Sequence, residues 1–145
     1  MKLQIAWIGK TKMAPVQALT SEYLKRIQRY IPTSSLELGN EAALLKQMEK
    51  SASPPFLVLL DSRGKQFTSE ELASFIENQK NSGRTALLFA VGGADGFSDA
   101  ARSVANLQLS LGPMTLAHEL ARVVLLEQIY RALTILNKHP YHLGH

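Results

Sequence analysis

Thr85-Ala-Leu-Leu-Phe-Ala-Val-Gly-Gly-Ala-Asp-Gly96 is the stretch on which the fold turns. From Thr85 to Val91 the chain is apolar without alternation, and it then stops at a glycine-bearing turn. A strand that is apolar on both faces is covered on both faces, as a central strand of a parallel sheet is. Phe56-Leu-Val-Leu-Leu60 repeats the pattern and ends at Asp61-Ser-Arg-Gly-Lys65. Upstream, the run from Leu3 to Ile8, closed by Gly9, predicts a strand with both faces at least partly covered. Ser35 to Leu38 reads as a weak strand and Leu107 to Leu111 as a short one.

Helical patterns fill the intervals. Pro15 suits a first helical turn, and Val16, Leu19, Tyr23, Ile27 and Tyr30 then fall on one stripe, with Lys25, Arg26 and Arg29 largely off it. Pro32 ends that helix, and Asn40 is placed to cap the next one through Glu49. Thr68 or Ser69 caps the next helix, and Thr68-x-x-Glu71 fits a capping box; that helix runs to about Asn81, and Gly83 closes it. Ser98 opens a short helix, and Thr115 is the expected N-cap of a last helix over Leu116 to Asn137. Strand and helix alternate throughout. That order predicts an α/β fold, a mostly parallel sheet flanked by helices, in one domain over residues 1–145. Ligands of such sheets bind beyond the carboxyl ends of the strands. Here those ends are Gly9-Lys10, Asp61 to Gly64, Gly92 to Gly96 and Leu111 to Met114.

Composition narrows the class. Hydrophobic residues make up 46% of the chain and charged residues 19%, the balance of a globular protein. There is no cysteine, which excludes disulfides and cysteine-based metal sites and suits a reducing cytoplasm. Met1-Lys-Leu-Gln4 leads straight into a strand pattern with no signal-peptide core, and no apolar run approaches a membrane span. A cytoplasmic protein without a membrane partner is therefore expected. The net charge of +4 is unevenly spread: residues 1–30 hold six basic side chains against Glu22 alone. The functional reading of Lys10, Lys12, Lys25, Arg26 and Arg29 is a phosphate-contacting patch; the plainer one is a solvated face.

Gly92-Gly-Ala-Asp-Gly96 has neither dinucleotide-fingerprint spacing nor the Gly-Lys-Ser/Thr of a Walker loop. It is either a strand-to-helix turn or a ligand wall made of backbone. Leu111-Gly-Pro-Met-Thr-Leu116 also offers mostly backbone, and main-chain groups between leucines can hold an adenine ring. His118 falls in the first turn of a helix, where a buried structural role competes with catalysis. His139, His142 and His145 are spaced by three, but Pro140 breaks the helical spacing and no carboxylate is near, so no metal site is expected. No nucleophile elbow is present. The last helix carries more apolar residues than one stripe can hold, which points to burial against the sheet and against a second copy. Glu127 and Arg131 within it are set for an i,i+4 ion pair.

Together, Gly92-Gly-x-x-Gly96, Leu109-Ser, Met114-Thr-Leu-x-His118, Arg122-Val-Val-Leu-x-Glu-Gln-x-Tyr-Arg-Ala132 and Pro140-Tyr-His142 resemble the RlmH family. These are SPOUT-class methyltransferases acting on large-subunit ribosomal RNA. Met1-Lys-Leu-x-Ile, Gly9-Lys10, Leu60-Asp61 and Gly64-Lys65 are similar to the same family, so the likeness spans nearly the whole chain. The resemblance implies methyl transfer from S-adenosylmethionine to N3 of a pseudouridine in 23S rRNA, on assembled ribosomes, by a homodimer. It implies a C-terminal trefoil knot whose loops hold the cofactor, an exception to the rule against knots. Its cofactor contacts fall on Leu60, Gly92, Leu111, Gly112, Pro113, Met114, Thr115 and Leu116. An imide nitrogen must lose a proton to attack a methyl group, so His142 is the expected base or orienting group, and Tyr141 the residue that stacks on or hydrogen-bonds the target base. The tail is expected to reach the partner copy's pocket. The chain departs from the family at Ala117, where proline is usual, and at Leu143, where a basic residue is usual; Gly39 to Pro55 is shorter than typical. His145 is expected to substitute in part for the missing basic residue. The alternatives are a SPOUT enzyme for another base and a non-catalytic ribosome-binding module.

Overall fold

Ala86–Val91 is buried along its whole length, and the rest of the architecture is arranged around it. The computed structural model describes residues 1–143. In chain order the elements are β1 (Lys2–Ile8), α1 (Ala14–Gln28), β2 (Thr33–Leu38), α2 (Glu41–Lys50), β3 (Phe56–Gln66), α3 (Ser69–Asn81), β4 (Ala86–Val91), α4 (Asp99–Val104), β5 (Leu107–Ser110) and α5 (His118–Leu136). A 3-10 turn, Pro140–His142, follows α5. All strand pairs are parallel, in the order β2-β1-β4-β3-β5. Phe89 of the central β4 stands opposite Ile5 on one side and Val58 on the other.

The pleat divides the core into two layers. Leu3, Ile5 and Trp7 of β1 pack with Ile27 of α1, Ile76 of α3 and Leu125 of α5. On the other face, Ala6 packs with Leu44 of α2 and Ala101 of α4. The local signals for the helix starts are real: Asn40 Oδ1 accepts from Ala43 N at 3.0 Å, the Thr68–Glu71 capping box closes in both directions, and Ser98 caps α4. A cap of the Asn40 kind contributes about 1 kcal/mol.

Three expectations are corrected. Thr115 does not cap the last helix: α5 begins at His118, and the residue in the cap position, Ala117, forms no side-chain cap. The intervening residues are drawn out along a cavity instead. β3 does not end at Leu60 but resumes to Gln66. Leu109 of β5 pairs first with Leu60 and again with Lys65, so residues 61–64 loop out between the two pairings. A Cβ on Gly64 would lie 2.6 Å from the backbone C and O of Gln108, closer than any side chain tolerates, so the crossing requires glycine. In α1, Leu19 is 45% exposed while Thr20 is buried, which shifts the packed face from the predicted stripe.

α5 lies on the sheet between α1 and α3. Leu125, Leu126 and Ile129 are fully buried, so one copy of the chain covers most of that apolar helix. Met13, Leu19, Leu116 and Leu120 are left exposed near its first turns and along α1.

Candidate functional site

Three of the loops at the carboxyl edge of the sheet build the site. After β4, the chain turns through Gly93 to Gly96, with Gly96 N donating to Gly93 O at 3.0 Å. A Cβ on Gly92 would meet the Gly96 backbone at 3.2 Å and the Phe97 ring at 3.3 Å, so a side chain there would push the turn back by a few tenths of an ångström. After β5, the Ser110 hydroxyl accepts from Gly112 N at 3.1 Å and donates to Gly112 O at 2.9 Å, fixing the start of the next loop. The third loop is the 61–64 excursion of β3. Together with His118 and Ala121 from the first turn of α5, these loops wall a cavity of about 330 Å³. That is the size range of a small-molecule site.

Leu60, Gly92, Leu111, Gly112, Met114, Thr115 and Leu116 all line this cavity; Pro113, on the same loop, does not. The structure thus gathers seven of the eight predicted cofactor residues from three separate strands. Sequence reasoning missed the charged members of the wall. Asp61, its side chain only 8% exposed, takes a 2.8 Å bond from Arg102 Nε and a 2.9 Å bond from Arg63 N. Burial pushes its carboxyl upward, but the bonds from Arg102 and Arg63 outweigh this and hold it below the usual carboxylate range. The signal in the sequence was an aspartate directly after an apolar strand, at the edge where ligands bind.

The predicted basic patch divides in two. Lys10 and Lys12 are exposed on the β1–α1 loop, at the cavity edge of the sheet. Lys25, Arg26 and Arg29 lie at the far end of α1, about 20 Å away along a fifteen-residue helix. Arg26 is committed there: it bonds Glu22 at 2.8 Å and lies over the rings of Tyr23 and Tyr130.

Tyr141 and His142 also lie at the far edge, and neither lines the cavity. Past α5, Lys138 takes a left-handed conformation (φ 57°), and the bonds Lys138 N to Ile135 O and His139 N to Thr134 O fold the chain back. The Tyr141 ring then packs edge-on against Tyr130, 4.6 Å between centroids, with the Arg131 guanidinium 5.3 Å away. Arg131 in turn pairs with Glu127 at 2.6 Å, as the spacing predicted. Burial, with a hydrogen bond to Tyr23, pushes the Tyr141 hydroxyl up to about 12. It stays protonated at any physiological pH. His142 Nδ1 is buried with no hydrogen-bond partner among the described residues. His139 Nδ1 accepts from Tyr141 N at 3.2 Å. His145 lies outside the described residues. Among the described residues there is no cluster of three potential metal-ligating side chains, and no helix is long and apolar enough to cross a membrane.

The family described as "Predicted SPOUT methyltransferase" matches residues 1–142. The ribosomal RNA large subunit methyltransferase H of Koribacter versatilis (strain Ellin345) is 54% identical over the full length of both chains. The chain belongs to the SPOUT methyltransferases, in the group of ribosomal RNA large subunit methyltransferase H. The corresponding protein of Geobacter sp. (strain M21) is 45% identical, covering 98% of this SPOUT methyltransferase and 99% of the relative. Two solved structures share the fold at low identity. One is a probable methylase family protein from Haemophilus influenzae Rd KW20, with a TM-score of 0.61, 8% identity, and coverage of 96% and 69% of the two chains. The other is the SpoU methyltransferase AviRb from Streptomyces viridochromogenes, solved in complex with AdoMet, with a TM-score of 0.53, 13% identity, and coverage of 94% and 61%.

One further set of contacts in this SPOUT methyltransferase borders the cavity. Arg122 is fully buried and donates to Ile8 O at 2.9 Å, Gly9 O at 3.2 Å and Thr11 Oγ1 at 2.8 Å. Desolvation lowers its affinity for the proton, opposed by Glu119 and Glu37. Glu119, also buried, accepts from Lys12 N and Met13 N. Those bonds, led by the one from Met13, outweigh burial and hold its carboxyl below the usual range.

Proposed function

We propose that the chain transfers a methyl group from S-adenosylmethionine to N3 of a pseudouridine in large-subunit (23S) ribosomal RNA, on assembled ribosomes in the cytoplasm. In this reading it works as a homodimer of a single-domain chain with a C-terminal trefoil knot. The observation that carries the proposal is the cavity walled by Leu60, Gly92 and the Leu111–Leu116 loop. Those are the positions at which the resemblance puts the cofactor. Gly92 supports the fit, because a side chain there would fill the cradle against Gly96 and Phe97. Leu60, Leu111 and Leu116 would hold the adenine between apolar walls, and the 111–116 backbone would supply its hydrogen-bonding partners.

When bound, the cofactor supplies an electrophilic methyl group on a sulfonium centre. The residues have two further tasks: to hold the target nitrogen in line with that methyl group, and to accept its proton. Tyr141, protonated and packed on Tyr130 and Arg131, serves as a donor and stacking surface rather than a base. His142 takes the proton. The tail and the cavity lie at opposite ends of α5 in one copy, so the tail of one copy completes the pocket of the other. The exposed Met13, Leu19, Leu116 and Leu120 support a partner-facing surface there. Lys10 and Lys12 at the cavity edge, and Lys25 and Arg29 at the tail edge, then meet phosphates on either side of a composite site, while Arg26, paired with Glu22, adds positive charge beside them.

The test is methylation of ribosomes from a strain lacking the modification, with labelled cofactor, read by mass spectrometry of the rRNA. Label on N3 of one large-subunit pseudouridine is the expected result. Label on another base would replace the proposal with a different SPOUT specificity. Absence of S-adenosylmethionine binding in a calorimeter would replace it with a ribosome-binding module.

A further inference from the structure

The first turn of α5 faces two ways. His118 and Ala121 look into the cavity, while Glu119 and Arg122, each one residue further on, hold the loop between β1 and α1. Outside those two residues the loop is held at Gly9 N, which donates to Leu38 O at 2.7 Å, and at Thr11 O, which accepts from Gln17 Nε2 at 2.9 Å, while the N–H groups of Lys12 and Met13 have no local partner. Met13 occupies the N-cap position of α1 but forms no side-chain cap, and the first turn of α1 contains no acidic residue. The carboxylate that meets the exposed N–H groups there comes from Glu119, more than a hundred residues later: both of its oxygens lie 3.2 Å from Lys12 N, and one lies 3.1 Å from Met13 N. An anion at that end is also favoured by the helix dipole. Arg122 fixes the other half of the loop through Ile8 O, Gly9 O and Thr11 Oγ1. Thr11 N makes a weaker, exposed bond to Glu37 at 3.3 Å. Burying a guanidinium among carbonyls is a costly way to fill a core, and an apolar side chain would serve stability as well. What it provides is a defined loop position.

We infer that Glu119 and Arg122 are positioning residues for RNA binding: they fix the Lys10–Met13 backbone against the turn that borders the cofactor cavity, and so set where the Lys10 and Lys12 ammonium groups meet phosphate. This rests on the reading above that the loop contacts RNA. It ties RNA placement to the same helical turn that borders the methyl donor.

The test measures methyl-transfer kinetics of the full chain on ribosomes, with S-adenosylmethionine affinity measured separately by calorimetry. Lys10→Ala with Lys12→Ala raises the KM for ribosomes about tenfold through the lost phosphate contacts. Glu119→Ala does the same with unchanged kcat and unchanged cofactor affinity, while Glu119→Gln, which keeps an acceptor oxygen, restores most of the loss. Adding Glu119→Ala to the double lysine variant raises KM no further, because it acts through those lysines. Thr11→Val, which removes a single hydroxyl, covers the case in which Glu119→Ala fails to fold; its expected rise in KM is about threefold. If the lysine variant is impaired while Glu119→Ala and Thr11→Val have normal KM, the positioning role is overturned and the RNA reading of the loop stands. Additive effects in the triple variant overturn it equally. A normal KM for the lysine variant overturns both.

Discussion

The two ends of α5 are built from different materials. At its first turn the surroundings are mostly loop backbone, braced by the Asp61–Arg102 pair: the Gly93–Gly96 turn, the Ser110–Gly112 loop and the 61–64 excursion of β3 wall the cavity together. At its last turns the surroundings are rings and guanidinium groups, with Tyr23, Tyr30, Tyr130 and Tyr141 clustered around Arg26 and Arg131. Backbone walls suit a cofactor that is the same in every cycle. A cluster of long side chains suits a surface that must meet and release a large polyanion. The nineteen residues between them span about 28 Å, so the cavity and the tail of one copy lie far apart.

The sharpest way to break that comparison is to remove one half. His142→Ala should lower kcat about a thousandfold, as loss of a general base does, with cofactor affinity unchanged. Gly92→Val, by contrast, should abolish cofactor binding by filling the cradle. If the site is composite, mixing the two inactive variants restores about a quarter of wild-type turnover, because half of randomly paired dimers carry one intact composite site. A mixture as dead as its components would show that each pocket uses the tail of its own copy.

A second test acts on the backbone end alone. Gly64→Ala places a Cβ 2.6 Å from the Gln108 backbone, which cannot give way like a side chain. It should destabilise the protein by about 3 kcal/mol in urea denaturation, the upper range for overpacking. A loss of a few tenths would mean that the β3–β5 crossing is looser than the register indicates.

These two ends were unequally legible in the sequence. The order of elements and the central place of β4 could be read because continuous apolar runs and the caps at Asn40, Thr68 and Ser98 are local signals. The cavity residues were legible because the chain turns there on glycines. The start of α5 was not. Thr115 has the chemistry of a cap, but the loop around the cavity keeps the chain extended for two residues more, and that is decided by tertiary packing. Nor was Arg122, which at i+3 from Glu119 looks like one more charge on a helix surface until the loop from β1 closes over it. The division of the basic patch was hidden for a similar reason: near neighbours in sequence lie at opposite ends of α1.

Acid titration separates the two ends again. The Asp61 carboxyl is held below its ordinary value in the folded chain, so it contributes stability at pH values above the unfolded value. That contribution is lost as pH falls through the lower folded one. Asp61→Asn should therefore cost about 2 kcal/mol at neutral pH, the scale of a charge-assisted hydrogen bond. The variant and wild-type curves should begin to converge below about pH 3.9, the unfolded carboxyl value, and meet only below the lower folded one. A constant gap down to pH 2 would assign the loss to packing rather than to the charge.

The smallest expected effect lies in the fold-back that carries the tail. Lys138 sits at φ 57°, a conformation that costs a side-chain-bearing residue about 1 kcal/mol or more. Relieving that strain with glycine is partly offset, because glycine loses more freedom on folding. Lys138→Gly should therefore stabilise the protein by only about 0.5 kcal/mol, visible as a slight rise in Tm. Its value lies in the kinetics. The bonds to Ile135 O and Thr134 O do not involve the Lys138 side chain, so glycine keeps the path that leads to Tyr141 and His142. An unchanged kcat with a higher Tm is expected if the turn alone sets the tail's direction. A fall in kcat would mean that glycine loosens the turn and displaces Tyr141 and His142, whereas a higher KM for ribosomes at unchanged kcat would mean that the lysine ammonium itself meets RNA phosphate and that the basic surface at the tail edge extends past Arg29.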